Sequence, residues 1–151
     1  MKKVLILLAC LFAFAPAFAQ LNVTSTQEKV EKIGTLRSTY AFVYNQGTSY
    51  YLSIRSSNQF DNNCLFCLGD TAESAIMTAK DLIGLCDSLE VNASVSAKDA
   101  KGQSALFIKK KMIGKPYLDI SMDGQAGTSN ITKPELEKAV EIIKEHGKVS
   151  D

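Results

Sequence analysis

The stretch Asn62–Ser74, NNCLFCLGDTAES, decides how the rest of the chain is read. Cys64 and Cys67 have the Cys-x-x-Cys spacing of a redox dithiol or of half a metal site. A thioredoxin-type motif places its thiols at a helix N-terminus. Here the helix signal comes after both thiols: Asp70 reads as the N-cap, and Glu73 three residues on completes a capping box. CLFCL itself is short and apolar, as a buried strand is. Strand residues three apart point to opposite faces and sit ~10 Å apart. A disulfide needs its Cα atoms within about 7 Å. The stretch therefore reads as strand, turn and helix, with its two thiols pointing apart.

Upstream, TLRSTYAFVYNQGTSYYLSIRSS is rich in Tyr, Val, Ile, Thr and Phe and is broken by the turn signal NQGT. It predicts a hairpin with strands near 36–45 and 49–56. Period-two alternation puts Leu52 and Ile54 on one face and Tyr51, Ser53 and Arg55 on the other. Downstream, Ala72, Ala75, Ile76, Ala79, Leu82, Ile83 and Cys86 recur at helical spacing, which predicts an amphipathic helix ending near Leu89. AKDAKGQS is expected to be a loop. A second hairpin follows, SALFIKKKM and KPYLDISM about a turn at Ile113–Gly114. Leu118, Ile120 and Met122 share one of its faces; Tyr117, Asp119 and Ser121 share the other. After the loop DGQAGTSN comes the best-specified helix, ITKPELEKAVEIIKEHG. Thr132 caps it, Glu135 answers the cap, and Pro134 stands in the first turn, where its missing donor costs nothing. Gly147 is expected to end it.

These elements predict an α+β fold: an antiparallel sheet built from two hairpins plus a short strand, with two amphipathic helices packed on one face. The halves resemble each other, YYLSI (50–54) matching PYLDI (116–120) and Ser74–Ile76 matching Lys138–Val140, which suggests a ββα duplication.

The first nineteen residues read as a signal peptide. MKK is a basic start, the apolar run after it is too short to span a membrane comfortably, and Ala17–Ala19 has the small–x–small cleavage pattern. Cleavage after Ala19 would start the mature chain at Gln20. A competing reading, lipidation at Cys10, would strand apolar LFAFAPAFA behind the lipid. No later segment approaches the ~20 apolar residues of a membrane helix. The mature chain divides into an arm or short helix at 20–35, where Ser25 and Glu28 offer a cap, and a single domain at 36–151. Without the signal, 15 Lys+Arg stand against 16 Asp+Glu, a net charge of −1. That balance argues against a nucleic-acid binder, which needs a basic stripe for phosphates, and gives no net attraction to an anionic membrane. Lys109–Lys111 reads as strand solvation or edge protection.

Secretion would put the remaining thiols in an oxidising compartment. They are either three buried apolar side chains or one bridge with one thiol left over, and a bridge would join Cys64 to Cys86, because the helix folds back toward the start of its strand. No catalytic constellation, metal site or cofactor motif is assigned. Zinc wants four ligands, and the only His is His146 at an exposed helix end. Asp70-Thr71-Ala72 and Asp87-Ser88-Leu89 resemble the acceptor of some periplasmic O-glycosylation systems, so Thr71 and Ser88 are candidate modification sites. The most informative surface is the outward face of the two hairpins: Tyr51, Ser53 and Arg55 beside Tyr117, Asp119 and Ser121, rich in hot-spot residue types if both hairpins share a sheet.

With its signal, its strand–LG–capped-helix join and its terminal ITKPELEKAVEII helix, the chain resembles the small, signal-bearing α+β proteins of unknown function common in gut bacteria. That resemblance is general and implies no activity or site residue. The residues favour a secreted or periplasmic, non-enzymatic binding or inhibitor-like domain with a protein or glycan partner. The alternatives are a periplasmic enzyme whose polar site is built from the loops FDNN and DGQAG, and an envelope-associated structural protein.

Overall fold

The structure is a computed structural model and describes residues 29–148. The signal peptide, its cleavage site, Cys10 and the Ser25–Glu28 cap lie outside the described residues. The elements are β1 (Val30–Arg37), β2 (Ala41–Gln46), β3 (Ser49–Ile54), β4 (Cys64–Gly69), α1 (Ala72–Ser88), β5 (Ser94–Lys98), β6 (Ser104–Met112), β7 (Lys115–Met122), β8 (Ser129–Ile131) and α2 (Lys133–Gly147). They form two four-stranded antiparallel sheets, β1-β2-β3-β4 and β5-β6-β7-β8, each a meander followed by a helix.

The α+β class holds, but the single sheet does not. The two hairpins lie in separate sheets, each completed by strands from segments expected to be arm or loop. Residues 30–35 join the sheet as part of β1, as an arm added to it and not as a helix; β1 pairs with β2 across two register shifts. β5 takes the start of AKDAKGQS and the residues before it, and β8 the end of DGQAGTSN.

Alternation in each meander builds one apolar face. Ala41, Ile54 and Cys64 lie in one register row of the first sheet, Val43, Leu52 and Phe66 in the next, and all are buried. In the second sheet Phe107, Leu118, Ile120 and Ile131 play the same part. Both helices pack on the first sheet, α1 against β4 and β3, α2 against β1 and β2, and against each other. Gly34 admits α2 closely: a Cβ there would fall within 3 Å of the Ile142 side chain. Phe66 and Phe107 meet edge to face at 5.5 Å and join the two apolar faces into one core.

Two polar seams fix the second sheet against the first. In one, the β5–β6 turn docks on the open edge of β4. Buried Asp99 accepts from the Cys67 amide (3.1 Å) and from the Lys101 and Gln103 amides (2.9 and 2.8 Å), while the Ala100 amide donates to the Cys67 carbonyl (3.1 Å). In the other, the β3–β4 and β7–β8 loops interlock. The Gly127 amide donates to Asp61 (2.6 Å), Ser57 to the Thr128 carbonyl (2.8 Å), and Gln125 to the Asn62 carbonyl (3.1 Å).

The caps differ from one another. α2 has the predicted box, Glu135 accepting from the Thr132 amide at 2.7 Å, and runs through Gly147 to Lys148 in the left-handed region. α1 is capped by Thr71, not Asp70: Thr71 accepts from the Ser74 amide (3.2 Å), and the Ser74 hydroxyl accepts from the Thr71 amide (3.1 Å). Asp70 instead binds the Ser49 hydroxyl (2.7 Å) and Lys101.

Candidate functional site

Arg37 ends β1 and reaches the first turn of α2, where Glu135 stands. Its guanidinium makes a two-pronged pair with Glu135, Nε to Oε1 at 2.5 Å and Nη2 to Oε2 at 2.6 Å. Nη1 donates to the Asn130 side chain at 2.8 Å. One side chain thus ties together β1, β8 and the cap of α2. Burial pushes the Glu135 carboxyl up, but hydrogen bonds from Arg37 and from the Thr132 amide and hydroxyl outweigh it and hold it below the usual glutamate range. The hydrogen bond to Glu135 raises the Arg37 pKa further, against its partial burial.

The Arg37–Asn130 pair is a shared wall. On one side lies a concavity of about 470 Å³, lined by Tyr40, Ile54, Arg55, Ser56, Ser57 and Gln59. On the other lies one of about 480 Å³, lined by Met112, Ile113, Lys115, Tyr117, Thr132 and Glu135. Arg55 is exposed and lies over the Tyr40 ring, 5.3 Å from its centroid. Glu135 is the sole acid lining either concavity, and it is committed to Arg37.

The six residues expected on one outward face are therefore divided. Arg55 lies just past the end of β3 and lines the first concavity; Tyr117 lines the second. Asp119 stands beside that region, opposite Asn130 and Ile108. Burial raises its pKa, with Lys110 opposing. Ser121 sits farther along β7, opposite Leu106. Tyr51 and Ser53 belong to the outer face of the first sheet. Tyr51 lies between Tyr44 and Cys67, and Ser53, only 6% exposed, takes a hydrogen bond from Asn63 at 3.4 Å. Burial, and then Cys67, raise the Tyr51 pKa. The shared-sheet condition for one Tyr/Arg face is not met.

Cys64, Cys67 and Cys86 are buried and free in this structure. Cys64 faces the core opposite Ile54; Cys67 faces outward opposite Tyr51, under the Asp99 turn. Burial pushes the Cys64 and Cys86 thiols up to about 11, which makes them poor nucleophiles. Thr71 and Ser88 stand exposed at opposite ends of α1, their hydroxyls engaged with Ser74 and with the Gly84 carbonyl (2.8 Å). Among the described residues no group of His, Cys, Asp and Glu could hold a metal ion. The loops expected to assemble a polar catalytic site do meet, but Asp61 accepts from Gly127 and Ser56 and docks the loops instead of lining a concavity.

Arg37, Asn130 and Glu135 carried no sequence signal as a site. Glu135 was legible only as half of a capping box, and its second role needs Arg37, 98 residues earlier in the chain at the end of β1. The chain matches no family model, no curated protein and no solved structure.

Proposed function

We propose that the protein is a non-enzymatic binding domain, secreted or periplasmic, that engages a protein or glycan partner through the two concavities beside the Arg37–Asn130 wall. One observation carries this reading: Arg55, just past the end of β3, and Tyr117, on β7 of the other sheet, line adjoining hollows whose common wall is held by a two-pronged ion pair. The wall is cross-linked through Arg37 and its charge is matched by Glu135, while Arg55, Tyr40 and Tyr117 stand at its flanks. Such residues dominate interface hot spots. Asp61, the acid that a loop-built catalytic site would have used, is engaged in docking. The repeated order of four strands and a helix supports descent from a duplicated unit.

Affinity capture from envelope and culture fractions, with the mature chain as bait, tests the site. Arg55→Ala and Tyr117→Ala should each weaken retention of the captured partner about tenfold with an unchanged melting temperature. Retention lost instead through Tyr51→Ala would move the site to the outer face of the first sheet. Intact mass on the same sample reads the cleavage site, any Cys64–Cys86 bridge, and any glycan on Thr71 or Ser88.

A further inference from the structure

The β6–β7 hairpin ends in a turn whose two central residues, Ile113 (φ 49°) and Gly114 (φ 80°), both have positive φ. A two-residue hairpin turn of this kind favours Asn, Asp or Gly at both places. Ile is among the residues least suited to the left-handed region, because its branched Cβ crowds the backbone there. Ile113 is nonetheless 97% exposed, and Met112 before it is 65% exposed. Neither folding nor solubility explains an Ile here, since Asn would serve both better. Strain held at an exposed tip points to a use for the side chain.

The charges around the tip narrow that use. Lys111 and Lys115 flank the turn, both exposed, and neither lies within ion-pair distance of a carboxylate among the described residues. Lys110 stands next along β6, near Asp119 and Asn92, and Lys109 is drawn inward to the Leu89 carbonyl at 2.6 Å. The tip is thus an apolar pair inside a cationic collar, although the mature chain as a whole is near neutral. We propose that the β6–β7 hairpin tip is a membrane-docking finger, with Ile113 and Met112 entering the interface of an anionic bilayer and Lys111 and Lys115 meeting its headgroups. A bilayer fits the geometry better than a protein partner does. Ile113, at the rim of the second concavity, is left 97% exposed, and lipid deforms about such a projecting side chain where a rigid partner needs a matching pocket. Apolar insertion plus basic residues at the headgroup level is the pairing that reversible membrane attachment requires. The tip also edges the second concavity through Met112, Ile113 and Lys115, but the inference rests on the outward exposure and charge of the tip and not on the partner-binding reading: vesicle binding tests the one, and partner retention in Arg55→Ala tests the other.

Co-sedimentation of the mature protein with vesicles tests it. Binding should be at least about tenfold tighter to equimolar phosphatidylcholine–phosphatidylglycerol vesicles than to phosphatidylcholine alone, and should weaken with added salt. Ile113→Asn combined with Met112→Ser should abolish it; Lys111→Gln with Lys115→Gln should cost about tenfold. Lys80→Gln with Lys138→Gln, the same charge change on the exposed helix surfaces, should leave it intact. Because Asn suits the left-handed turn, loss of binding in Ile113→Asn is not confounded by unfolding, and its melting temperature is read alongside. The proposal is overturned by no sedimentation with anionic vesicles, by equal binding to neutral ones, or by retention in the Ile113→Asn, Met112→Ser protein. It is overturned equally if the tip variants lose capture by immobilised polyglutamate while vesicle binding persists, which would assign the tip to an acidic protein.

Discussion

Arg37 shows how much one side chain can settle. Its donors are spread over Glu135 and Asn130, and Glu135 also accepts from the Thr132 amide and hydroxyl at 2.7 and 2.8 Å. Arg37→Ala leaves a mostly buried carboxylate facing only its own cap. The guanidinium is about a third exposed, so solvent screening lowers the figure for a charged hydrogen-bonded pair to about 1–2 kcal/mol. The pH dependence has a definite sign. Glu135 is held below its ordinary value of 4.5 in the folded state, so its contribution is complete above that value and is lost as pH falls through the folded pKa. Urea titrations between neutral and acid pH should show the wild type losing stability on that limb, and Arg37→Ala losing less. An equal loss in both proteins would mean the pair is not what depresses Glu135. Glycine offers the opposite sign. Gly84 lies within α1 with open space where a Cβ would be, so Gly84→Ala should stabilise by up to about 1 kcal/mol in thermal melts. Gly127→Ala should destabilise, because its Cβ would lie 2.5 Å from the Ser56 hydroxyl and 2.8 Å from the Asn58 amide nitrogen.

At the level of elements, what the sequence made legible follows how local each signal is. Both long helices and the β2–β3 and β6–β7 hairpins were readable, because apolar spacing and turn residues lie within a few positions of one another, but the strand expected near 36–45 is broken by a turn at Ser38–Tyr40 into the end of β1 and β2. β5 and β8 were not. Ser94–Lys98 is short, polar and largely exposed, and Ser129–Ile131 is three residues long; each is a strand only because β6 or β7 offers an edge to pair with. The α1 cap was misplaced by one residue for a related reason. Asp70 and Thr71 are both good caps by type, and the choice falls to Thr71 because Ser49 and Lys101, distant in sequence, claim the Asp70 carboxylate. Thr71→Ala should therefore cost about 1 kcal/mol. Denaturant midpoints compare it with Asp70→Ala, whose cost should be the smaller because the Asp70 carboxylate and its Lys101 partner are exposed. The reverse ranking would restore Asp70 as the cap.

Across the whole molecule, the division of the strands between two sheets decides which candidate residues meet. Nothing in the alternation of β3 or β7 specifies whether they share a sheet, because alternation sets which residues share a strand face and not which strands pair. The choice rests on the interface between the meanders, and one of its two polar seams is built on Asp99. The open edge of β4 would otherwise present unpaired backbone groups. Asp99 and Ala100 take up the Cys67 amide and carbonyl there, and the same carboxylate holds its own turn through Lys101 and Gln103. Asp99→Ala removes the acceptor of a buried amide together with two turn bonds, so it should cost about 2–3 kcal/mol. Amide exchange at Cys67, Lys101 and Gln103 should accelerate, while exchange in the middle of β2 and β3 should follow only the global change. Asp99→Asn keeps one side-chain carbonyl and should recover part of the loss. If Asp99→Ala exchanges like the wild type at Cys67, the meanders are held by Phe66, Phe107 and the rest of the shared core, and the turn merely rests on the β4 edge.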